Sequence, residues 1–351
     1  MAALRTLQLP FDDGVLAWPA RGARFLHAQP GWPWSGFVAE QPYRPAALAL
    51  EREGRASEVV GDADAAHAPA DARDAPVVLL LAPRQRDQAR ALYARALDHC
   101  AEGGVVVASV ANDAGAKSAE ADLRRLAGLD GATSKHHCRV FWARRDAARI
   151  DHALHAQWRA LDAPRRIDAP RLPGGGFVSR PGVFAWDRID PASALLAAHL
   201  PADLSGAGAD LGAGWGHLAI EALARSPGIA ALDLYEADAR ALPLARDNLA
   251  AFAASARLDF FWHDVTTGLG RGYDFVLTNP PFHAQDRADR PELGQQFIAA
   301  AADALRPGGR LYLVANRHLP YEAVLSSRFA RVRVLAQADG FKAIEAVRGA
   351  R

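Results

Sequence analysis

Asp210-Leu211-Gly212-Ala213-Gly214-Trp215-Gly216 is the stretch on which the fold of this chain turns. A strand-like run, Gly208 to Leu211, enters it, and a helical pattern from about His217 to Ala224 leaves it. Glycine at alternate positions lets the backbone reverse sharply between strand and helix and lets a ligand approach bare N–H groups. Downstream, the sequence predicts a strand from Ala231 to Tyr235, a helix through Asn248, and a strand from Leu258 to Trp262. A strand from Asp274 to Thr278 and a helix from Gly294 to Leu305 follow, and Gly308-Gly309 breaks the chain before a strand from Arg310 to Ala315. Upstream, Asp190-Pro191 reads as an N-cap with proline at the first helical position, opening a helix to about Leu200. Strands alternating with helices of this length imply an α/β domain with a parallel, doubly wound sheet.

Farther upstream, residues 162–182 carry Pro164, Pro170, Pro173, Pro181 and the run Gly174-Gly175-Gly176. Proline stiffens a chain and glycine frees it, so this stretch reads as a linker between a domain over residues 1–165 and one over 166–351. Residues 61–76, rich in Ala, Asp and His without an apolar period, read as a surface loop. The first half echoes the end of the second. Val77 to Leu81 is a strand, Gln85 to His99 a helix, Gly103-Gly104 a break, and Val105 to Val110 a strand ending in Ala111-Asn112, where the later unit ends in Ala315-Asn316. The expected architecture is two tandem Rossmann-like α/β domains. The first is degenerate: it has no glycine loop, and Ala82-Pro83-Arg84 stands where the second has Asn279-Pro280-Pro281.

With 351 residues, half of them apolar, the chain is long enough for two cores. No apolar run approaches the ~18 residues of a membrane span, and Met1 to Pro10 lacks the charged and apolar segments of a signal peptide. Cys100 and Cys138 form neither a metal spacing nor a disulfide framework, which suits buried thiols in a reducing cytoplasm. With a net charge of +1, nothing global announces a nucleic-acid partner. Locally, Arg306 to Arg351 holds nine Lys/Arg against three Asp/Glu, and Arg159 to Arg188 six Arg against three Asp. Such excesses steer a polyanion or simply form a solvated basic face.

Three acids close successive strands. Asp210 opens the glycine loop, where a carboxylate repels a pyrophosphate and suits a cationic ligand such as the methionine end of S-adenosylmethionine. Glu236 ends the next strand, where it can accept both hydroxyls of a ribose. Asp264 ends the third and can accept from an adenine amino group. Any one of them reads equally as a helix cap or a solvated strand end; three around one crevice favour a nucleoside cofactor, with Asp210, Gly212, Gly214, Glu236, Asp264 and Asn279 as its binding residues. No metal is expected.

The fourth strand ends in Thr278-Asn279-Pro280-Pro281-Phe282-His283. Ligands of open α/β sheets bind outside the carboxyl ends of strands, so this loop faces the same crevice. Two prolines remove donors and leave carbonyls to accept. The Asn279 side-chain oxygen and the Pro280 carbonyl can take the two N–H groups of an exocyclic amine and aim its lone pair. Phe282 can stack on the base, with Pro281 and His283 beside it. Taken alone, such a tetrapeptide is more often a proline turn capped by Asn, and His283 reads as a packing residue as readily as a substrate contact.

These residues carry a resemblance. Asp210-Leu211-Gly212-Ala213-Gly214 with Asn279-Pro280-Pro281-Phe282-His283 is similar to the class I amino methyltransferases, and more narrowly the chain resembles the bacterial rRNA guanine-N2 methyltransferases of the RsmC and RlmG type. The similarity extends to Pro181-Gly182-Val183-Phe184, Asp187-Arg188-Ile189-Asp190, Leu313-Val314-Ala315-Asn316, Leu319-Pro320-Tyr321 and Gly340-Phe341-Lys342; it is weaker at Val77 to Asn112 and Lys117-Ser118-Ala119-Glu120. It implies two tandem methyltransferase domains, the first without a cofactor site and serving folding and RNA binding. The second would use S-adenosylmethionine to methylate N2 of a guanine in rRNA, 16S ahead of 23S, on naked RNA or a ribosomal subunit, in a cytoplasmic monomer. Ala185-Trp186 and the bulky Trp215 depart from the family pattern. Adenine-N6 and protein-glutamine methylation share the Asn-Pro-Pro core; a non-catalytic RNA-binding scaffold and a nicotinamide-dependent oxidoreductase are more distant readings.

Overall fold

The computed structural model describes residues 2–58, 74–270, 272–281 and 291–349. The chain forms two compact units, Met1–Pro164 with Arg180–Gly182, and Arg165–Ser179 with Val183–Arg351. The expected loop over 61–76 lies largely outside the described residues, although Ala75 and Pro76 already belong to a strand.

The first unit holds strands β1 (Ala23–Leu26), β2 (Phe37–Glu40), β3 (Ser57–Glu58), β4 (Ala75–Leu81), β5 (Cys100–Ala111), β6 (Gly131–Lys135) and β7 (Cys138–Arg144). Helices α1 (Ala2–Asp12), α2 (Arg44–Arg52), α3 (Arg86–His99), α4 (Ala116–Ala127) and α5 (His152–Leu161) accompany them. A short antiparallel pair, β8 (Arg165–Asp168) and β9 (Gly176–Ser179), opens the second unit. It continues with α6 (Pro191–Ala198), β10 (Ser205–Leu211), α7 (His217–Arg225), β11 (Gly228–Glu236), α8 (Ala241–Leu249), β12 (Arg257–Trp262) and β13 (Tyr273–Thr278). After these come α9 (Pro291–Ala304), β14 (Leu305–Asn316), α10 (Glu322–Arg328), β15 (Arg331–Ala338) and β16 (Phe341–Val347).

Each unit is a seven-stranded sheet, in the order β3-β2-β1-β4-β5-β7-β6 and β12-β11-β10-β13-β14-β16-β15. The order is the same in both. Five strands run parallel and the sixth pairs antiparallel, so the sheets are mixed rather than wholly parallel as the alternation implied. Of the two last strands of the second unit, β15 went unread because it is an edge strand with no buried residue, and β16 because the polar Lys342 and Glu345 interrupt its buried run. In β11 the alternation is clear: Leu232 and Leu234 pack on one face, Tyr235 on the other, and all are buried. Burying a leucine of this kind stabilises a fold by about 1.5–3 kcal/mol.

Two expectations need correction. Gly103-Gly104 and Gly308-Gly309 do not break the chain; both pairs lie inside strands, β5 and β14. They mark bulges, with pairing shifting register between Ala75 and Val77 in one unit and between Tyr273 and Phe275 in the other. A Cβ at Gly104 would come 2.9 Å from the Ala101 carbonyl and 3.0 Å from that of Pro76; at Gly309 it would come 2.9 Å from the Arg306 carbonyl and 3.0 Å from that of Tyr273. The second correction concerns the linker. Residues 165–179 form a hairpin whose Phe177 is 1% exposed, so proline and glycine there shape turns rather than a flexible tether.

Candidate cofactor and amine-acceptor site

The second unit gathers its chemistry where β10, β11 and β13 end. Leu211 pairs with Tyr235 on one side and Thr278 on the other, so the chain leaves the sheet in neighbouring places at the glycine loop, at Glu236 and at Asn279. The loop is tied back by Gly212 and Ala213 N–H groups donating to the Tyr235 carbonyl at 2.8 and 3.1 Å. Gly214 adopts φ +55 with no atom within 4 Å of where a Cβ would be, a bare backbone facing open space.

Asp210 is 1% exposed, and neither carboxylate oxygen has a hydrogen-bond partner of ordinary geometry among the described residues. Burial, helped by the nearby Glu236 charge, pushes its pKa up to about 7, and the Ala219 amide pulls weakly the other way. Glu236 rises to about 6, again through burial first, with backbone N–H groups of Asp238 and Gly214 opposing. Its two oxygens accept from Gly214 and Asp238 N–H, each at 2.7 Å. A buried acid with so few partners among the described residues, beside a bare glycine turn, fits a ligand that brings donors and positive charge. That is the chemistry of the methionine end of S-adenosylmethionine.

Asp264 differs from this pair. It caps the short turn after β12, its Oδ1 accepting from the Thr266 N–H at 3.0 Å and the Thr266 hydroxyl at 2.6 Å. One oxygen is thus committed to local structure, the helix-cap role open from the sequence.

Asn279 stands at the end of β13 with its amide nitrogen donating to Asp190 Oδ2 at 3.0 Å and to Ser193 Oγ at 2.9 Å. Both hydrogens are used, so the side-chain oxygen remains as the acceptor, the polarity an incoming amine requires. Asp190 Oδ2 also accepts the Ser193 N–H at 2.8 Å as N-cap of α6. Pro280 is buried and Pro281 half-buried. Phe282 and His283 lie outside the described residues.

Several contacts that brace the loop escaped the sequence. Trp215 stacks on Phe177 at 3.9 Å and 10°, with His217 on it at 5.3 Å and 28°. Burial drops the His217 pKa to about 4, against the opposing Asp190 charge, so the imidazole is neutral. Asn248 binds both the Val178 N–H (2.6 Å) and carbonyl (2.9 Å), and the Trp215 carbonyl (2.9 Å), fastening the hairpin to the loop. Trp215, a departure from the family pattern, is a packed pillar under the loop. The hint available was an aromatic residue inside a glycine motif; the contacts span up to 70 residues, and no local pattern reports them.

The first unit shows how such a site is lost. Leu26 pairs with Glu40 as Leu211 pairs with Tyr235, and the Ala28 N–H donates to the Glu40 carbonyl as Ala213 does to Tyr235. That register sets Phe25 at the place of Asp210, His27 at that of Gly212 and Gln41 at that of Glu236. Gln41 even keeps the local bond, its Oε1 accepting the Tyr43 N–H two residues on, as Glu236 does from Asp238. Both acids are gone, and a histidine occupies the left-handed position at φ 54.

Fold and site together define a class I methyltransferase. A family model described as the methyltransferase small domain matches residues 174–345. The ribosomal RNA small subunit methyltransferase C of Psychromonas ingrahamii is 27% identical over 272 residues, covering 77% of this chain and 75% of the relative. The ribosomal RNA large subunit methyltransferase G of Alcanivorax borkumensis is 36% identical over 177 residues, covering 50% of this chain and 44% of the relative. Among solved structures, the T. thermophilus 16S rRNA N2 methyltransferase RsmC, in complex with AdoMet and guanosine, has a TM-score of 0.78 at 23% identity, covering 99% of this chain and 92% of that one. The chain belongs to the RsmC/RlmG-type methyltransferase family.

Proposed function

We propose that the chain transfers a methyl group from S-adenosylmethionine to the exocyclic N2 amine of a guanine in ribosomal RNA. The observation that carries this is the pairing, at adjacent strand ends, of a buried acid, Asp210, whose oxygens have no side-chain partner among the described residues, with an amide, Asn279, whose two N–H groups are committed and whose oxygen is left to accept among those residues. S-adenosylmethionine supplies a methyl on a sulfonium, a good leaving group for in-line displacement. The chain's own part is positioning. Asp210 meets the positive charge of the cofactor's methionine end, Glu236 the ribose, and Asp264, through its uncommitted oxygen, the adenine. Gly212 and Gly214 keep side chains out of the way. Asn279 Oδ1 and the Pro280 carbonyl accept the two N–H groups of the amine and turn its lone pair toward the methyl. The proton leaves after transfer, so no strong base is needed. Pro281, Phe282 and His283 belong to the base-holding side, Phe282 by stacking.

The small subunit is the favoured target, because the match to a small-subunit relative spans 75% of it and the match to a large-subunit relative 44%. The N-terminal domain, residues 1–165 as read from the sequence, supports folding and RNA binding, and the catalytic domain spans 166–351. Among the described residues no helix is long and apolar enough to cross a membrane, and no group of three or more metal-ligating side chains occurs. The resemblance, and not these absences, is what favours a cytoplasmic monomer that needs no metal. Incubation with methyl-labelled S-adenosylmethionine and, separately, unmodified 30S subunits, 16S rRNA and 23S rRNA tests the reading. Label in one small-subunit substrate is expected; label in 23S rRNA alone moves the target, and label in no RNA removes it.

A further inference from the structure

Asn279 can serve an amine only in one of its two amide orientations. With the oxygen outward it accepts; flipped by half a turn, it would present N–H groups to an N–H donor and repel it. Asparagine alone does not choose between these. Two side chains from the start of α6 hold it, and one of them, Asp190, makes the choice. The Asn279 nitrogen lies 3.0 Å from Asp190 Oδ2 and 2.9 Å from Ser193 Oγ. An ionised carboxylate only accepts hydrogen bonds, so the atom facing Asp190 has to be the nitrogen. Flipping would set the amide oxygen against that carboxylate, an arrangement the Ser193 hydroxyl, able to donate as well as accept, could follow but the carboxylate could not.

We infer that Asp190 and Ser193 are positioning residues for the transfer: together they lock the Asn279 amide with its oxygen toward the acceptor amine. The inference rests on the function proposed above and deepens it. The same Asp190 oxygen accepts the Ser193 N–H at 2.8 Å, so helix cap and amide lock are one device. Pro191, fixed at the first helical position, holds Asp190 in the extended conformation that a cap needs. Ser193 is 6% exposed, too enclosed for water to replace its hydroxyl freely. The sequence motif Asp190-Pro191-Ala192-Ser193 thus does more than start a helix, since it reaches 86 to 89 residues onward to the reaction loop.

The two roles separate by mutation. Ser193→Ala removes the hydroxyl but keeps the backbone N–H that Asp190 caps, so the helix start survives. Asp190→Ala removes both. Ser193→Thr restores a hydroxyl in the same place, whereas Asp190→Asn caps the helix but offers an amide that can itself flip and so no longer selects. For Ser193→Ala and Asp190→Ala, kcat for guanine methylation falls about 10- to 100-fold, the loss typical of a misaligned reacting group. The calorimetric cofactor affinity stays unchanged; Ser193→Thr recovers most of the rate, and Asp190→Asn does not.

A readout independent of turnover is hydrogen exchange of the Asn279 side-chain amide in asparagine-labelled protein, its signal assigned by its loss in Asn279→Ala. Protection is expected in the wild type and lost in Ser193→Ala. A Ser193→Ala protein that keeps both wild-type kcat and amide protection overturns the lock. A rate loss that the Thr variant does not recover, with protection intact, also overturns it. If the wild type makes no N2-methylguanosine, the proposed function fails instead, and the exchange comparison still decides the lock.

Discussion

Burial raises the pKa of Asp210 and, against the N–H groups it accepts, that of Glu236, and this makes the free protein pH-sensitive in a definite direction. Their folded pKa values, about 7 and about 6, lie above the ordinary carboxylate range. The folded state therefore holds protons that the unfolded chain has given up. Their contribution to stability is fully present below about pH 4 and is lost as pH rises through about 6 to 7. A cationic ligand prefers the ionised forms, so cofactor affinity is expected to climb over the same interval and to release protons, seen as a dependence of calorimetric heat on buffer ionisation. Asp210→Asn should flatten that dependence and weaken binding while stabilising the free protein at pH 8 by roughly 1–3 kcal/mol. Unchanged affinity would remove Asp210 from the site. Asn279→Ala belongs to a different step: transfer is expected to fall at least ~100-fold with cofactor affinity near normal, and lost binding would instead indicate a structural role. These residues could be named from sequence because strand ends and loop spacing are local. What the sequence could not tell was that Asp264 spends an oxygen on Thr266, since capping and ligand binding recruit the same side chain from the same place.

The hairpin of β8 and β9 is the least legible element and one with a testable role. Its prolines and glycines have linker composition, yet Phe177 is buried against Trp215 and Asn248 ties Val178 to the loop. Asn248→Ala leaves the Val178 N–H, Val178 carbonyl and Trp215 carbonyl without this partner, which is expected to cost about 1–3 kcal/mol of stability. It should also raise the KM for the cofactor more than it lowers kcat, because the loop and not the acceptor is loosened. An equal fall in kcat with KM unchanged would contradict this. Helices and central strands were legible because their apolar periods are local; β15 and β16 were not, since one is an exposed edge and the other buries Lys342 and Glu345 among its apolar residues.

Over the whole molecule, one sheet order occurs twice, with the same bulge at the start of the fifth strand. The same bracket pins each bulge: Gly103 and Gly104 exchange bonds with Arg145, and Gly308 and Gly309 with Arg348. This supports the duplication suggested by the paired glycines, though as bulges instead of breaks. The units differ where ligand chemistry resides, Phe25, His27 and Gln41 standing where the second has Asp210, Gly212 and Glu236. Calorimetry is therefore expected to find one cofactor per chain, and a second site of similar affinity would contradict the degeneracy of the first unit. The substitutions were hard to align from sequence because the first unit's early strands are short and carry no glycine signature. The most direct test of the central claim is digestion of the methylated RNA product to nucleosides. N2-methylguanosine as the sole labelled nucleoside, absent with Asn279→Ala, is the predicted result; label in methyladenosine, or none in RNA while the cofactor still binds, would contradict it.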